Sequence, residues 1–225
     1  MRITFLVLGL FLLFGCSQKS SDEHVKAAQD FMAEKRMESA VVELKNAIQK
    51  DPKSAIARFE LGRSYIALKQ YESAEKELNR ALEFGHPASE VIPLLSQSYQ
   101  QTGAYAALSE IDHTEAGMTP EQEVEVGFFK IQSLLQLEKV EEAGKLIEEL
   151  EKIQVSTVYS GLLPVYKNLL DKDNEGAFAA ISTLSEQYPD SPDLLKLKGQ
   201  LLLQLGKREE AAEVYKHYID VYPAD

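Results

Sequence analysis

Residues 55–82 read AIARFELGRSYIALKQYESAEKELNRAL, and the frame within them decides the fold: Arg58, Leu61, Gly62 and Tyr65, then Ala74, Leu78 and Ala81. Small residues belong where two helices cross closely, and large ones fill the gaps between. The frame recurs along the chain. The small crossing residue of each first helix falls at Ala28, Gly62, Ser96, Ile131, Val165 and Gly199, at steps of 34, 34, 35, 34 and 34. Its counterpart in each second helix falls at Ala40, Ala74, Leu108, Ala143, Ala177 and Ala211, on the same steps. A third column, Phe31, Tyr65, Tyr99, Leu134 and Leu202, is interrupted by Asn168. Pro52, Pro120, Pro189 and Pro223 close units, and Pro87 closes one with a slip of a single residue. Six unrelated amphipathic helix pairs would not keep such equal steps in several columns.

This period and these columns resemble the tetratricopeptide (TPR) repeat, a helix–turn–helix unit of 34 residues. The resemblance implies an all-α solenoid, a right-handed superhelix of about six units near 21–54, 55–88, 89–123, 124–157, 158–191 and 192–225. No alternating strand pattern of useful length competes. The units near Ser21, Ala55 and Pro192 carry the frame best. The third has a good first helix over residues 90–101, but Asp112 and Glu115 occupy places that are apolar elsewhere, so a short second helix and a loop over 112–119 are expected. Thr119-Pro120-Glu121-Gln122 then reads as a helix start, with Thr as cap, Pro in the first turn and Gln reaching back. Gly161 and Pro164 fall inside the first helix of the fifth unit. Proline removes a backbone donor and kinks or delays a helix, so the least regular stretch is expected between Ile153 and Asn174.

Hydrophobic residues make up 44%, enough for a packed repeat core. The net charge of −12 argues against a nucleic-acid partner, whose phosphates would be repelled. Acidic helices of this kind serve solubility or face a basic partner. The sequence stops just where a further unit would begin, so either the last helix caps itself or the array continues in a longer protein.

At the amino terminus, Arg2 precedes an apolar run over residues 3–14. Twelve residues span about 18 Å as a helix, short of a hydrocarbon core of roughly 30 Å. The run therefore reads as the apolar region of a signal peptide, residues 1–15. Cys16 is the sole cysteine and excludes an internal disulfide. Following Leu13-Phe14-Gly15, it resembles the lipobox of bacterial lipoproteins, which implies cleavage before Cys16 and a lipid on it. A conventional signal peptide or an uncleaved anchor remains the alternative. The lipobox reading makes residues 16–22 a polar tether, places the solenoid over 23–225, and puts the protein on the periplasmic face of the envelope. Ser17 points to the outer membrane under enterobacterial sorting rules.

Enzyme signatures are missing from the sequence. His24, His86, His113 and His217 are isolated, and the Asp112-His113-x-Glu115 cluster reads as a solvated loop rather than a metal site. Neither a phosphate-cradling glycine loop nor a nucleophile elbow is present. The expectation is therefore a non-enzyme with no cofactor or metal, acting through the concave face that the first helices line. One place past each crossing residue stand Gln29, Arg63, Gln97, Gln132, Tyr166 and Gln200. Such an amide ladder suits the backbone of an extended peptide or sugar hydroxyls, although glutamine is also simply a good exposed helix former. Four places earlier, about one turn, stand Val25, Phe59, Pro93, Phe128, Leu162 and Lys196. Phe59 and Phe128 either face the groove or pack against the next unit. The candidate groove is thus Phe59, Arg63, Gln97, Phe128, Gln132, Tyr166 and Gln200. The Lys and Asn pairing that clamps a peptide carboxylate in other TPR domains is not present.

Three stretches carry a narrower resemblance: ESAVVELKNAIQKDP at 38–52, YESAEKELNRAL at 71–82 and GHPASEVIPLL at 85–95. Together with the lipobox, they are similar to the amino-terminal part of the TPR lipoproteins associated with exosortase (PEP-CTERM) systems. Those systems sort proteins to the Gram-negative envelope beside exopolysaccharide genes. That resemblance implies a scaffold for protein partners of an export or polysaccharide machine. A TPR lipoprotein of pilus biogenesis or outer-membrane protein assembly is the second expectation. Direct glycan binding is the third, and would need aromatic platforms along the concave face.

Overall fold

The computed structural model describes residues 19–223, so Cys16, the signal-peptide run and the lipid-anchor expectation lie outside the described residues. Twelve α-helices form six successive pairs. They are α1 (Ser21–Ala33) with α2 (Met37–Lys50), α3 (Ala55–Ala67) with α4 (Tyr71–Glu83), and α5 (Ala88–Thr102) with α6 (Tyr105–Ser109). The array continues with α7 (Pro120–Gln136) and α8 (Val140–Leu150), α9 (Val158–Leu170) and α10 (Asn174–Gln187), and α11 (Pro192–Gln204) and α12 (Arg208–Val221). Among the described residues there is no strand. Contacts run only between helices one or two places apart, and α1, α3, α5 and α7 each touch the next first helix, whereas α11 joins the array through α10. This is a TPR solenoid, whose cohesion is local, unit against unit.

Within a pair the two helices close until a side chain of the second fills the space a glycine leaves in the first. A Cβ built on Gly62 would lie 2.6 Å from Leu78 Cγ, and one on Gly199 would lie 2.5 Å from the Tyr215 ring. In the fourth and fifth units the close approach moves one turn toward the amino end. There Gly127 faces Leu150 at 2.7 Å and Gly161 meets Leu184. That shift is why the crossing column tolerates Ile131 and Val165, both fully buried. The glycine is still present, four residues earlier.

Every first helix ends in the same turn. Lys35, Lys69, Gly103, Glu138, Lys172 and Gly206 all have φ between 57° and 76°. These residues keep the repeat steps, and the next backbone N–H donates to the carbonyl of Phe31, Tyr65, Tyr99, Leu134, Asn168 and Leu202 respectively, at 2.8–3.0 Å. This six-to-one bond satisfies a carbonyl that the helix end would leave open. Asn168 interrupts the apolar column but not the turn, because the bond uses its main chain.

The irregular units fall where the sequence placed them, with two differences. In the third unit α6 has five residues, and Thr119 and Gln122 form the reciprocal cap before Pro120. The loop between is mostly exposed, as expected, but His113 turns inward. His113 is only 8% exposed, and burial lowers its pKa. Asp112 accepts from the Thr114 N–H and hydroxyl at 2.9 and 2.7 Å, and Lys130 Nζ ties the segment down through the Ile111 carbonyl at 2.8 Å. In the fifth unit the expected break does not interrupt the helix. The thirteen residues of α9 run through Gly161 and Pro164, started by a Thr157–Ser160 cap, and irregular backbone is confined to 151–157. Packing of Leu184 onto Gly161 outweighs the local penalty.

One further correction concerns the tether. Ser21 and Asp22 are helical, and Ser20 is the cap of α1, exchanging hydrogen bonds with Glu23 at 3.2 and 2.7 Å. The buried apolar side chains gather into three clusters, one in units one and two, one in units two and three, and the largest running from Phe128 to Leu201.

Two glycine substitutions separate close approach from helix propensity. Gly62→Ala must displace Leu78, which is fully buried, and is expected to lower stability by about 1–2 kcal/mol despite the better helix former. A Cβ on Gly144 in α8 would meet only Leu170 Cδ1 at 3.9 Å, so Gly144→Ala is expected to raise stability by about 0.5–1 kcal/mol. Urea unfolding followed by far-UV circular dichroism checks both, and shifts of the same sign would refute the packing argument.

Candidate functional site

Helices pack with their first members side by side, so residues one repeat apart become neighbours across the concave wall. The candidate groove residues divide into two groups on this wall. Phe59 does not line an open groove. It is 6% exposed and stacks on His86, centroids 4.0 Å apart and planes 18° apart, with the Arg63 guanidinium 5.7 Å from its ring. Its burial comes from the segment at 85–95, which lays His86 over it. Arg63 is exposed but engaged, donating to Glu60 at 2.9 Å, while Gln29 Nε2 donates to the other oxygen of the same carboxylate at 3.0 Å. Glu60 is 4% exposed and was not singled out by the sequence reading. Gln97 is half-buried on α5.

The second group comes together. Phe128, Gln132, Tyr166 and Gln200 line one cavity of about 260 Å³ between α5, α7, α9 and α11. Phe128 itself is 2% exposed and belongs to the large core cluster, so it forms the floor. Tyr166 meets it edge-on, centroids 5.2 Å apart at 87°, and Tyr159 lies at 5.5 Å and 39°. A hydrogen-bond relay crosses the wall: Gln100 Nε2 donates to Gln132 Oε1 at 2.9 Å, and Gln132 Nε2 donates to the Tyr166 hydroxyl at 2.9 Å. Gln132 is thus bonded on both sides within the chain, which restrains its rotamer. Burial raises the pKa of Tyr166, and the hydroxyl stays protonated.

Sequence reasoning missed a parallel row, although its signal was present. Glu125, Tyr159 and Asp193 stand seven residues before Gln132, Tyr166 and Gln200, two turns away on the same face. Tyr159 and Glu125 lie close enough for each to perturb the ionisation of the other. Burial, with Glu125 and Asp193 close by, raises the Tyr159 pKa. Burial likewise raises that of Glu125. The cavity is lined by aromatic rings, by amides that include Gln100, Gln132 and Gln200, and by the Asp193 carboxylate and Lys196. Such a lining suits binding of a chain or side group. Among the described residues no group of three or more His, Cys, Asp or Glu stands in metal-holding geometry, and no helix is long and apolar enough to cross a membrane.

A carboxyl whose pKa is raised by folding favours the folded chain at low pH, and the advantage fades as pH rises through the folded value. Glu125→Gln keeps the shape of this half-buried side chain and removes its ionisable carboxyl. Its stability relative to the parent chain is expected to increase as pH goes from about 4 to about 7, measured by urea midpoints across that range. A constant difference would show that Glu125 is not held in a desolvated place.

Comparison with known proteins agrees with this architecture. Residues 31–98 and 172–225 each match a tetratricopeptide-repeat family model. The human protein O-mannosyl-transferase TMTC1 is 27% identical over 174 residues, 75% of this chain but 19% of that protein, so the chain spans about a fifth of the length of the curated relative it matches. PilF of Pseudomonas aeruginosa superposes with a TM-score of 0.61 at 19% identity, covering 91% of this chain and 93% of that one. PilW, a type IV pilus biogenesis factor, gives 0.63 at 15% identity, covering 91% and 94%. A tetratricopeptide-repeat protein of Parabacteroides merdae gives 0.68 at 16%, covering 87% and 77%. Identities this low establish the fold alone. The repeat matches in both halves of the chain and the six helix pairs make it a tetratricopeptide-repeat solenoid.

Proposed function

We propose that this chain is a non-catalytic scaffold whose concave face holds an extended segment of a protein partner, with the solenoid fixed to the cell envelope by a lipid on Cys16. The observation that carries the reading is the cavity between α5, α7, α9 and α11. Its amides are ordered by the Gln100–Gln132–Tyr166 relay, and its floor and walls are aromatic. Rigid amide and aromatic groups suit a peptide backbone with side chains inserted between them. The stretches at 38–52, 71–82 and 85–95 support a place in exosortase-linked protein sorting and exopolysaccharide export, on the periplasmic face and by preference at the outer membrane. A second reading, pilus biogenesis, draws support from the likeness to PilF and PilW along nearly the whole of both chains. Outer-membrane protein assembly shares that second place.

Two measurements test the proposal. A photo-crosslinking side chain at Gln200, which is exposed at the cavity, is expected to capture a discrete partner in cells. The same side chain at Glu142, exposed on α8, is expected not to. Equal capture at both positions overturns the groove. Exosortase or polysaccharide-export components among the captured proteins support the first reading, and pilus components the second. For the anchor, Cys16→Ser is expected to abolish incorporation of labelled fatty acid and release the protein from the membrane fraction. Unchanged labelling would remove the lipid from the proposal.

A further inference from the structure

The loop that follows the short α6 buries a group that the other units do not. Four residues past the crossing residue of the second helix stand Leu44, Leu78, Ile147 and Ile181, all fully buried, while the third unit has Asp112 there. The side chain that turns inward is the next one, His113, and its Nε2 is buried with no hydrogen-bond partner among the described residues. Each of the other three histidines has a carboxylate oxygen within hydrogen-bond reach. Glu43 lies 2.6 Å from His24, Glu90 lies 3.1 Å from His86 and Asp190 lies 3.1 Å from His217. The acidic partner of His113 is Glu149 Oε1 at 3.8 Å, too far for a hydrogen bond and on a side chain that is mostly exposed. An imidazole thus sits unpartnered at a level of the array where four other units bury an aliphatic side chain.

This loop straps two units together. It meets α5, where a Cβ on Gly117 would lie 3.2 Å from Ser89 Oγ. It meets α7, where Lys130 Nζ donates to the Ile111 carbonyl at 2.8 Å, and α8, where His113 approaches Glu149. The charged groups around the ring are Asp112 in the loop, Glu123 and Lys130 on α7, and Glu149 on α8; the α5 contact, Ser89, is uncharged. A proton on the ring places a positive charge in a desolvated site and beside the Lys130 ammonium, and the three carboxylates offset this only in part. We propose that the loop over 111–118 is an acid-released strap between the third and fourth units: it stays docked on α5, α7 and α8 while the His113 ring is neutral, and lifts when the ring takes up a proton. The sign follows from linkage. A histidine that binds its proton more weakly when docked holds the strap in full above its free value of about 6.5, and the hold fades as pH falls below that value. Asp112 does not share the transition, because its bonds from Thr114 keep the carboxyl below its ordinary range and ionised throughout. The strap lies where the buried core passes from one cluster to the next, so its release loosens the join between the two halves of the concave wall.

The test is hydrogen exchange of the full chain at about pH 7.5 and about pH 5.5, corrected for the intrinsic pH dependence of amide exchange and read by mass spectrometry on peptides covering 105–119 and 192–204. Exchange over 105–119 is expected to be up to about tenfold faster at the lower pH, which is the excess of protonated over neutral imidazole one unit below its free value. Exchange over 192–204 is expected to stay the same. His113→Phe keeps a buried ring that takes no proton, and is expected to remove the response. His113→Gln is expected to remove it too, and serves where circular dichroism shows that the larger phenyl ring disturbs the fold. His24→Gln, at the other end of the array, is expected to leave the response as in the parent chain. An NMR titration of the His113 ring in the parent chain needs no substitution, and its midpoint is expected below about 6.5. A midpoint at or above that value, equal acceleration of both peptides, no acceleration in the parent chain, or a response that persists in a folded His113 variant each overturns the strap.

Discussion

The fold depends on how closely the two helices of each unit approach. Where Gly62, Gly127, Gly161 and Gly199 present no side chain, Leu78, Leu150, Leu184 and Tyr215 enter from the second helix. The small residue and the large one are a matched pair, and interiors packed to crystal density do not tolerate changing one alone. Unit after unit, this contact sets the distance between the layers. It also fixes which residues of the first helices are left to face the concave side. The six-to-one turn bond at residues 36, 70, 104, 139, 173 and 207 then returns the chain at the same angle each time.

Period and frame were legible in the sequence because they rest on local constraints repeated six times. The helix pairs, the short α6 and the Thr119–Gln122 cap could be read directly. Three things could not. The glycine displaced by one turn in units four and five hides behind Ile131 and Val165, because a column read at fixed spacing assumes that the contact stays in register. The continuity of α9 through Pro164 depends on tertiary packing, which overrides a local penalty. The burial of Phe59 depends on His86, a residue of the next unit whose stacking no helical period predicts. In the groove, the column through Gln132 and Tyr166 was visible because it has one character. The row Glu125, Tyr159 and Asp193 was not, because its residue types differ although its spacing is the same.

The two ends of the concave wall have different chemistry. In units one and two, Glu60 gathers Gln29 and Arg63 around a buried carboxylate, so donors and acceptors are matched inside the chain. A guest there would have to replace bonds already made. From α5 to α11 the relay ties Gln100, Gln132 and Tyr166 together, and the aromatic rings rest on one another and on the core beneath Phe128. A wall held in this way loses little side-chain entropy when a guest arrives, and that loss is a main cost of association.

The position of this cavity follows from the irregular third unit. With five residues in α6, the core is divided there, and units four to six form a cluster of their own. The concave side of that cluster is where three successive first helices, α7, α9 and α11, keep steps of 34. An extra residue within a helix rotates the later side chains of that helix by about 100°, whereas one in a connecting loop is absorbed there. Across α7, α9 and α11 the step is 34 each time, which places Gln132, Tyr166 and Gln200 at equivalent positions beside Phe128 and Asp193. On this chain α5 reaches the cavity through Gln100 rather than through Gln97, three residues off the column and about a turn away.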